Sequence, residues 1–216
     1  MAPPTSDEQV QAASRARRQR NREELRASII ETAERILVAD GAEAVTMRAI
    51  AERIGYSATT IYHHFEDRDE LLATVLERAF GEFRRGLAAA LTSTDDHPEQ
   101  VRRMGRAYVD FALEHPAHYQ LMFVQRPEFL MHAGPEEGAS YQEALTALAQ
   151  LVAEAPAGRA GRIEPRDGAH ALWGAMHGIS ALATGFAVYE EDQARQATEA
   201  TLDLLVSGLW NEEPGR

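Results

Sequence analysis

The chain has no cysteine. That excludes disulfides, thiol nucleophiles and thiolate metal sites, and it fits a reducing compartment. Lysine is missing as well: all 22 basic residues are arginine, a bias that coding composition explains as well as chemistry does. No uncharged apolar stretch reaches the ~18 residues that a membrane span needs. The polar, arginine-rich start carries no apolar run of signal-peptide type. The expectation is a cytoplasmic protein with no membrane partner. Nowhere do apolar and polar residues alternate for long enough to predict a strand. Short catalytic signatures are absent too. There is no H-E-x-x-H, no P-loop and no G-x-G-x-x-G, and "GISAL" at 178–182 is not G-x-S-x-G. No enzyme and no cofactor is expected. His115 and His118, with Glu114 beside them, have the spacing to share a metal, but Pro116 interrupts them and no third ligand presents itself. His63 and His64 are adjacent, so on a helix they diverge, and no metal site is expected.

What is present is helical. The 216 residues are 44% apolar, enough to build a core for one large domain or two smaller ones. Leu25, Ile29, Ala33, Ile36 and Leu37 share one helical face, and Gly41 ends that helix. "VTMRAIAERIG" follows, with Thr46 as N-cap and Gly55 as terminator; Ser57 then caps a second short helix ending near Phe65. In "EDRDELL", Asp67 and Glu70 have capping-box spacing and open a long helix striped by Leu71, Leu72, Val75, Leu76, Ala79, Phe80, Phe83 and Leu87. Helical spacing recurs through Val101–Phe111, Tyr119–Phe123, Tyr141–Ala153, 168–188 and 193–210. The fold class is therefore all-α, with about nine helices. It divides into a disordered basic arm (1–20), a three-helix domain with the two short helices (21–66) and a larger helical domain (67–216).

The net charge of −12 argues at first against nucleic acid. Its distribution does not. "RARRQRNREELR" at 15–26 holds six arginines against two glutamates, so it carries +4 and leaves −16 for the rest. Phosphate contacts are local, and a basic arm on an acidic body is compatible with a DNA partner. Two short helices joined by a tight glycine turn form a helix-turn-helix candidate, the second helix entering the major groove. In "SATTIYHHF", Ala58, Ile61 and Phe65 point to the small core. Thr59, Tyr62 and His63 fall on another face, flanked by Thr60 and His64. Hydroxyls and rings on an exposed face suit phosphate oxygens and base edges better than they suit packing. The candidate DNA-contacting residues are Arg17, Arg18 and Arg20 of the arm, then Thr46, Arg48, Ser57, Thr59, Thr60, Tyr62, His63, His64 and Arg68.

These residues carry a resemblance. "ILVADGAEAVTMRAIAERIGYSATTIYHHFEDRDELLATVL" resembles the N-terminal domain of TetR-type transcriptional regulators in its glycine after the first helix, its "T.R.IA...G" run, its "S..T.Y.HF" helix and its following "LL" stretch. The resemblance implies a homodimeric all-helical regulator, usually a repressor, that binds a palindromic double-stranded DNA operator and is released by a small-molecule effector. It assigns Thr60 to DNA, Tyr62 and His64 to phosphates, and Arg48 to a base or a phosphate. Met47 and Ala58 stand where some members carry polar residues.

"HPAHYQLMF" and "ALWGAMHGIS" resemble the C-terminal domain of the subset named for its Trp-His-Gly signature, here Trp173, His177 and Gly178. Tyr108, Phe111, Met122, Phe123, Phe129, Met131, Trp173, Met176 and His177 offer aromatic and thioether surface, which suits an apolar or aromatic effector. Each could equally fill the core. The helix over 168–188 is apolar nearly all round, so it needs a partner on each side. Gly174, Gly178, Ala181 and Gly185, with Leu202, Leu205 and Leu209 of the last helix, are the expected dimer interface. The alternative reading is a helical ligand carrier or interaction module without DNA binding.

Overall fold

The computed structural model describes residues 6–125, 138–155, 163–185 and 188–210. Among them every regular element is helical: α1 (Ser6–Asp40), α2 (Met47–Ile54), α3 (Ala58–Tyr62), α4 (Arg68–Thr92), α5 (His97–Glu114), α6 (Pro116–Gln120), α7 (Gly138–Ala153), α8 (Pro165–Thr184) and α9 (Glu191–Trp210). A 3₁₀ turn (Ala42–Ala44) precedes α2 and a π turn (Leu121–Gln125) follows α6. The chain divides into two compact units, Met1–Val75 and Leu76–Arg216. The expected division at 66/67 falls earlier. The difference lies in the start of α4, whose Leu71, Leu72 and Val75 are buried and belong to the first unit.

In that unit Ile29, Ala33, Ile36 and Leu37 are buried along α1, as their spacing requires. The helix starts earlier than the sequence suggests. The residues expected to form an irregular arm are helical from Ser6 onward. They have no apolar stripe, but Gln, Ala, Arg and Glu are good helix formers, and each added residue extends a helix already nucleated by the packed turns. Gly41 ends α1 at φ 81°, in the left-handed region open to glycine. Thr46 Oγ1 then accepts from Ala49 N (3.1 Å), and Gly55 at φ 74° and ψ 30° closes α2. Ser57 Oγ accepts from Thr60 N (3.2 Å) to start α3. The end of α3 comes at Tyr62 rather than near Phe65, because His63 and His64 donate to the carbonyls three residues back and tighten the chain into a turn. Asp67 Oδ1 accepts from Glu70 N (2.8 Å), and the Glu70 carboxylate accepts from Glu66 N, so the capping signal at 67–70 is realised.

In the second unit α5, α7, α8 and α9 pack together, with α6 against α5 and α8. A core of Val101, Met104, Leu151, Val152, Leu172, Val206 and Leu209 lies between them. Helices α5 and α9 approach closely at Gly105, where a Cβ would stand 2.6 Å from Leu202 Cδ2. Their flank carries an antiparallel ladder of ion pairs at one-turn intervals: Arg102 with Asp203 (3.4 Å), Arg106 with Glu199 (2.6 Å) and Asp110 with Arg195 (3.2 Å). The Arg106 pair is bidentate, its second bond 2.8 Å long, and it holds the Glu199 carboxyl below its ordinary pKa. No described helix is long and apolar enough to cross a membrane.

Candidate functional site

Two places concentrate functional groups, one in each unit. The first is the surface of α2 and α3. Ile61 and Phe65 are buried and Ala58 half-buried, which turns Thr59, Tyr62 and His63 outward; all three are exposed, Tyr62 at 55%. Thr60 and His64 flank them, half-buried. The Thr60 hydroxyl lies 2.9 Å from Ser57 Oγ, so cap and face share one small hydrogen-bond set. Arg48 is exposed on α2 and held only by Glu52 on the same helix (2.8 Å). An exposed pair of this kind costs little to open.

Helix α1 reaches the same surface. The Arg26 guanidinium sits 4.6 Å over the Phe65 ring. Burial pushes the His64 pKa down, and the charges of Arg22 and Arg26 push it further. His64 thus lies beside two guanidiniums, with its protonated form disfavoured. Arg15, Arg18, Arg22 and Arg26 recur at helical spacing and form one stripe running away from α3. Arg17 and Arg20 lie on a neighbouring face, exposed like Arg18. The expected arm residues therefore split between two faces, and Arg22, which no local signal in the sequence singles out, continues the α3 surface.

Arg68 is used differently from the expectation. Its Nε donates to Val45 O (2.7 Å) and its Nη2 to Ala42 O (2.6 Å). The guanidinium closes the 3₁₀ turn onto the start of α4, and those donors are spent inside the unit. Thr46 and Ser57 likewise have structural work, as N-caps, although both are exposed.

The second place is a cavity of about 290 Å³ in the C-terminal unit. Its wall comes from α4 (Phe80, Phe83, Arg84, Leu87), α5 (Met104, Tyr108), the π turn (Phe123), α7 (Leu145, Leu148), α8 (Leu172, Trp173, Met176) and α9 (Leu202). Of the expected ligand-binding residues, Tyr108, Phe123, Trp173 and Met176 line it. Phe111 lies behind the wall against Phe83 (ring centroids 5.0 Å apart), and Met122 is buried outside it. Phe129 and Met131 fall outside the described residues. His177 is also behind the wall, stacked on Trp173 at 5.4 Å, with Nδ1 2.7 Å from the Tyr119 hydroxyl and 3.3 Å from that of Tyr108. Desolvation lowers its pKa, so the ring is neutral. Phe83, Leu87 and Met104 are visible in the sequence as members of apolar stripes, but no local signal marks them as facing a cavity rather than a core.

The expected dimer residues also separate. Gly174 is exposed, Gly178, Ala181 and Leu205 are half-buried, and a Cβ at Gly174 or Gly178 would meet nothing within 4 Å. Leu202 and Leu209 are buried in the chain's own core, Leu202 against Gly105 and Leu209 beside Val206. At Gly185 a Cβ would stand 2.8 Å from the Gln120 amide, so that small residue serves a contact within the chain. Among the described residues of α9, the exposed large apolar side chain is Leu204, at 75%. His115 and His118 face each other at 6.0 Å between ring centroids. Among the described residues no group of three or more His, Asp or Glu could hold a metal ion.

Comparison with known proteins bears on both places. The family described as "Bacterial regulatory proteins, tetR family" matches residues 29–75, and the one described as "Tetracyclin repressor-like, C-terminal domain" matches residues 101–209. The second match is to that general description rather than to the Trp-His-Gly subset. The HTH-type transcriptional activator FasR of Mycolicibacterium smegmatis is 34% identical over 103 residues, 47% of each chain. The chain spans about half the length of the curated relatives it matches. A solved structure of a protein of unknown function from Rhodococcus sp. RHA1 superposes with a TM-score of 0.69 at 25% identity, covering 86% of this chain and 95% of that one. AibR, solved with isovaleryl coenzyme A and operator DNA, shares the fold at a TM-score of 0.66 and 16% identity, over 84% of this chain and 97% of that one.

Proposed function

The chain belongs to the TetR family of bacterial regulatory proteins, and from that membership and its own geometry we propose that it is a homodimeric, ligand-responsive transcriptional regulator that binds a palindromic operator. The observation that carries the reading is the division of labour in α3. Ile61 and Phe65 go to the core, while Thr59, Tyr62 and His63 stand exposed on a helix whose caps are satisfied locally. A five-residue helix that holds its position and shows hydroxyls and rings to solvent is built to meet a surface. Arg48 and the α1 stripe supply cations around it. The same fold in AibR is seen with operator DNA.

Effector control rests on the cavity, whose wall is almost wholly apolar. Helix α4 contributes Leu71 and Leu72 to the first unit's core and Phe80, Phe83 and Leu87 to the cavity wall. A ligand that prefers one position of α4 shifts the population of DNA-competent dimers by its differential affinity for the two states. The dimer uses the small-residue face of α8 (Gly174, Gly178, Ala181) with Leu204 and Leu205 of α9. Repression is the simplest sense of regulation, because occupying a promoter requires binding alone. Activation, as FasR's name records, depends on where an operator lies, and the fold serves both.

The test is a gel-shift titration with a DNA fragment from beside the protein's own gene. Tyr62→Ala is expected to weaken binding by about ten-fold, the loss of one interfacial contact, with the dimer intact. Equal affinity of the variant sinks the role of this face. Absence of any salt-dependent shift with the wild-type protein favours a helical carrier without DNA binding.

A further inference from the structure

The cavity wall contains one charged residue among those described. Arg84 lines the cavity and is also exposed, so it stands where the cavity meets solvent. Its guanidinium lies 5.9 Å from the centroid of the Phe80 ring, itself part of the wall. No ion pair among the described residues includes Arg84. Among the described residues the wall has no carboxylate; beyond Arg84, the Tyr108 hydroxyl and the Trp173 indole they present hydrocarbon, aromatic ring and the thioethers of Met104 and Met176.

This arrangement selects on charge. A neutral ligand that fills the cavity and covers its mouth strips water from the guanidinium and returns at most an uncharged hydrogen bond for it. A cationic ligand adds repulsion. An anion at the mouth returns charge-assisted hydrogen bonds, which the planar guanidinium forms in pairs with a carboxylate. The apolar part of the same ligand enters the cavity and leaves water. Size follows from volume: at about 290 Å³ the cavity lies at the small end of the range that ligand pockets span.

We propose that the effector is a small monoanionic amphiphile, an apolar chain or ring of that size ending in a carboxylate, bound with its apolar body among Phe83, Leu87, Leu148 and Trp173 and its anionic end at Arg84. The proposal rests on the cavity being the effector site of the regulator described above, and it narrows that effector from apolar to apolar with one negative end. It also sets Arg84 apart from the other exposed arginines. The rest of the chain carries a large negative excess, so this local cation is what admits an anion to an acidic protein.

Isothermal calorimetry on the full-length protein without DNA tests it, with three probes that share one chain and differ in charge: octanoate, 1-octanol and octylammonium. Octanoate is expected to bind about ten-fold more tightly than 1-octanol, the effect of one hydrogen-bonded charge, and octylammonium most weakly. Trp173 fluorescence is expected to change on binding. Arg84→Gln should bring octanoate to the level of 1-octanol and leave 1-octanol unchanged, while Arg84→Lys keeps the order of the probes. The proposal is overturned if 1-octanol binds as tightly as octanoate, if Arg84→Gln weakens both probes equally, or if no probe binds up to its solubility limit. Because no DNA is present, a protein that takes octanoate but shifts no operator loses the regulator reading alone. One that shifts operator but ignores charge loses the effector class alone.

Discussion

The Tyr119 hydroxyl lies 2.7 Å from Nδ1 of His177 and 3.2 Å from the carbonyl oxygen of the same residue. The carbonyl oxygen only accepts, so the phenol donates there, while the direction of the shorter contact follows from which ring nitrogen carries the imidazole proton. The Tyr108 hydroxyl lies 3.3 Å from the same Nδ1, and burial raises the Tyr119 pKa, so the phenol keeps its proton. The result is a hydrogen-bonded cluster of Tyr108, in the cavity wall, with Tyr119 and with His177 on α8. Helices α5, α6 and α8 are thereby tied together directly behind the cavity.

Removing the closest contact of that cluster is expected to be costly. Tyr119→Phe keeps the ring packing but takes from His177 Nδ1 its shortest hydrogen-bond partner, a loss of about 1–3 kcal/mol. Tyr108→Phe, whose contact with Nδ1 is 3.3 Å, is expected to cost less than Tyr119→Phe. Urea denaturation of the two variants and wild type gives the order, and a larger loss for Tyr108→Phe would contradict this hydrogen-bond assignment.

His177 also predicts a pH dependence. Burial holds its folded-state pKa below the ordinary value of 6.5. In the window between the two, the unfolded chain takes up a proton that the folded chain refuses, so stability falls as pH drops below about 6.5 and is level above it. His64, lowered by burial and by Arg22 and Arg26, acts in the same direction. Urea midpoints measured from pH 7.5 down to about 5 are expected to decline, and His177→Gln should flatten the decline without abolishing it. An unchanged slope in that variant removes His177 from the account.

The α8 face can be tested without disturbing the subunit. A side chain at Gly174 meets nothing within 4 Å, and replacing a helix-interior glycine gains up to about 1 kcal/mol of helix propensity. Gly174→Gln is therefore expected to leave the subunit as stable as wild type or more so, while blocking close approach of a second copy. Light scattering after size exclusion should give twice the chain mass for wild type and a single chain mass for the variant. A dimeric Gly174→Gln places the interface elsewhere.

The arginines of α1 are distinguishable by face. Arg26 stacks on Phe65 and Arg22 acts on His64, so Arg18 and Arg22 continue the surface of α3. Arg18→Ala with Arg22→Ala is expected to lower the log–log salt slope of operator binding by about 1.8, or ~0.9 per phosphate contact. Arg17→Ala with Arg20→Ala, on the neighbouring face, is expected to lower it less. The opposite ranking would turn the helix the other way on the duplex.

Much of the first unit is legible in the residues alone. Thr46, Ser57 and Asp67 cap where spacing says they should, since an N-cap satisfies donors only two or three residues away. The outward face of Thr59, Tyr62 and His63 follows from a helical period anchored by Ile61 and Phe65. Arg68 is not legible in this way: its partners, Val45 O and Ala42 O, are 23 and 26 residues back, and by sequence it is one more surface cation. Leu202 and Leu209 fail for a related reason. Periodicity says that a leucine faces something apolar, and it is silent on whether that is α5 of the same chain or a second copy. The reach of α1 back to Ser6 is hidden because a polar helix extended from a packed one leaves no stripe.

Sequence by itself determined the helical class, the positions of most helix ends and the polarity of the α3 face, because these depend on hydrogen bonds and side-chain periods that close within one or two turns. Tertiary structure alone decided which arginines are spent on carbonyls and carboxylates and which are left at a surface. It also decided that the aromatic stripes of α4, α5 and α8 converge on a cavity with Arg84 at its mouth rather than on a filled core. Those outcomes depend on how helices far apart in the chain settle against one another, and packing density between elements is encoded in no single stretch of residues.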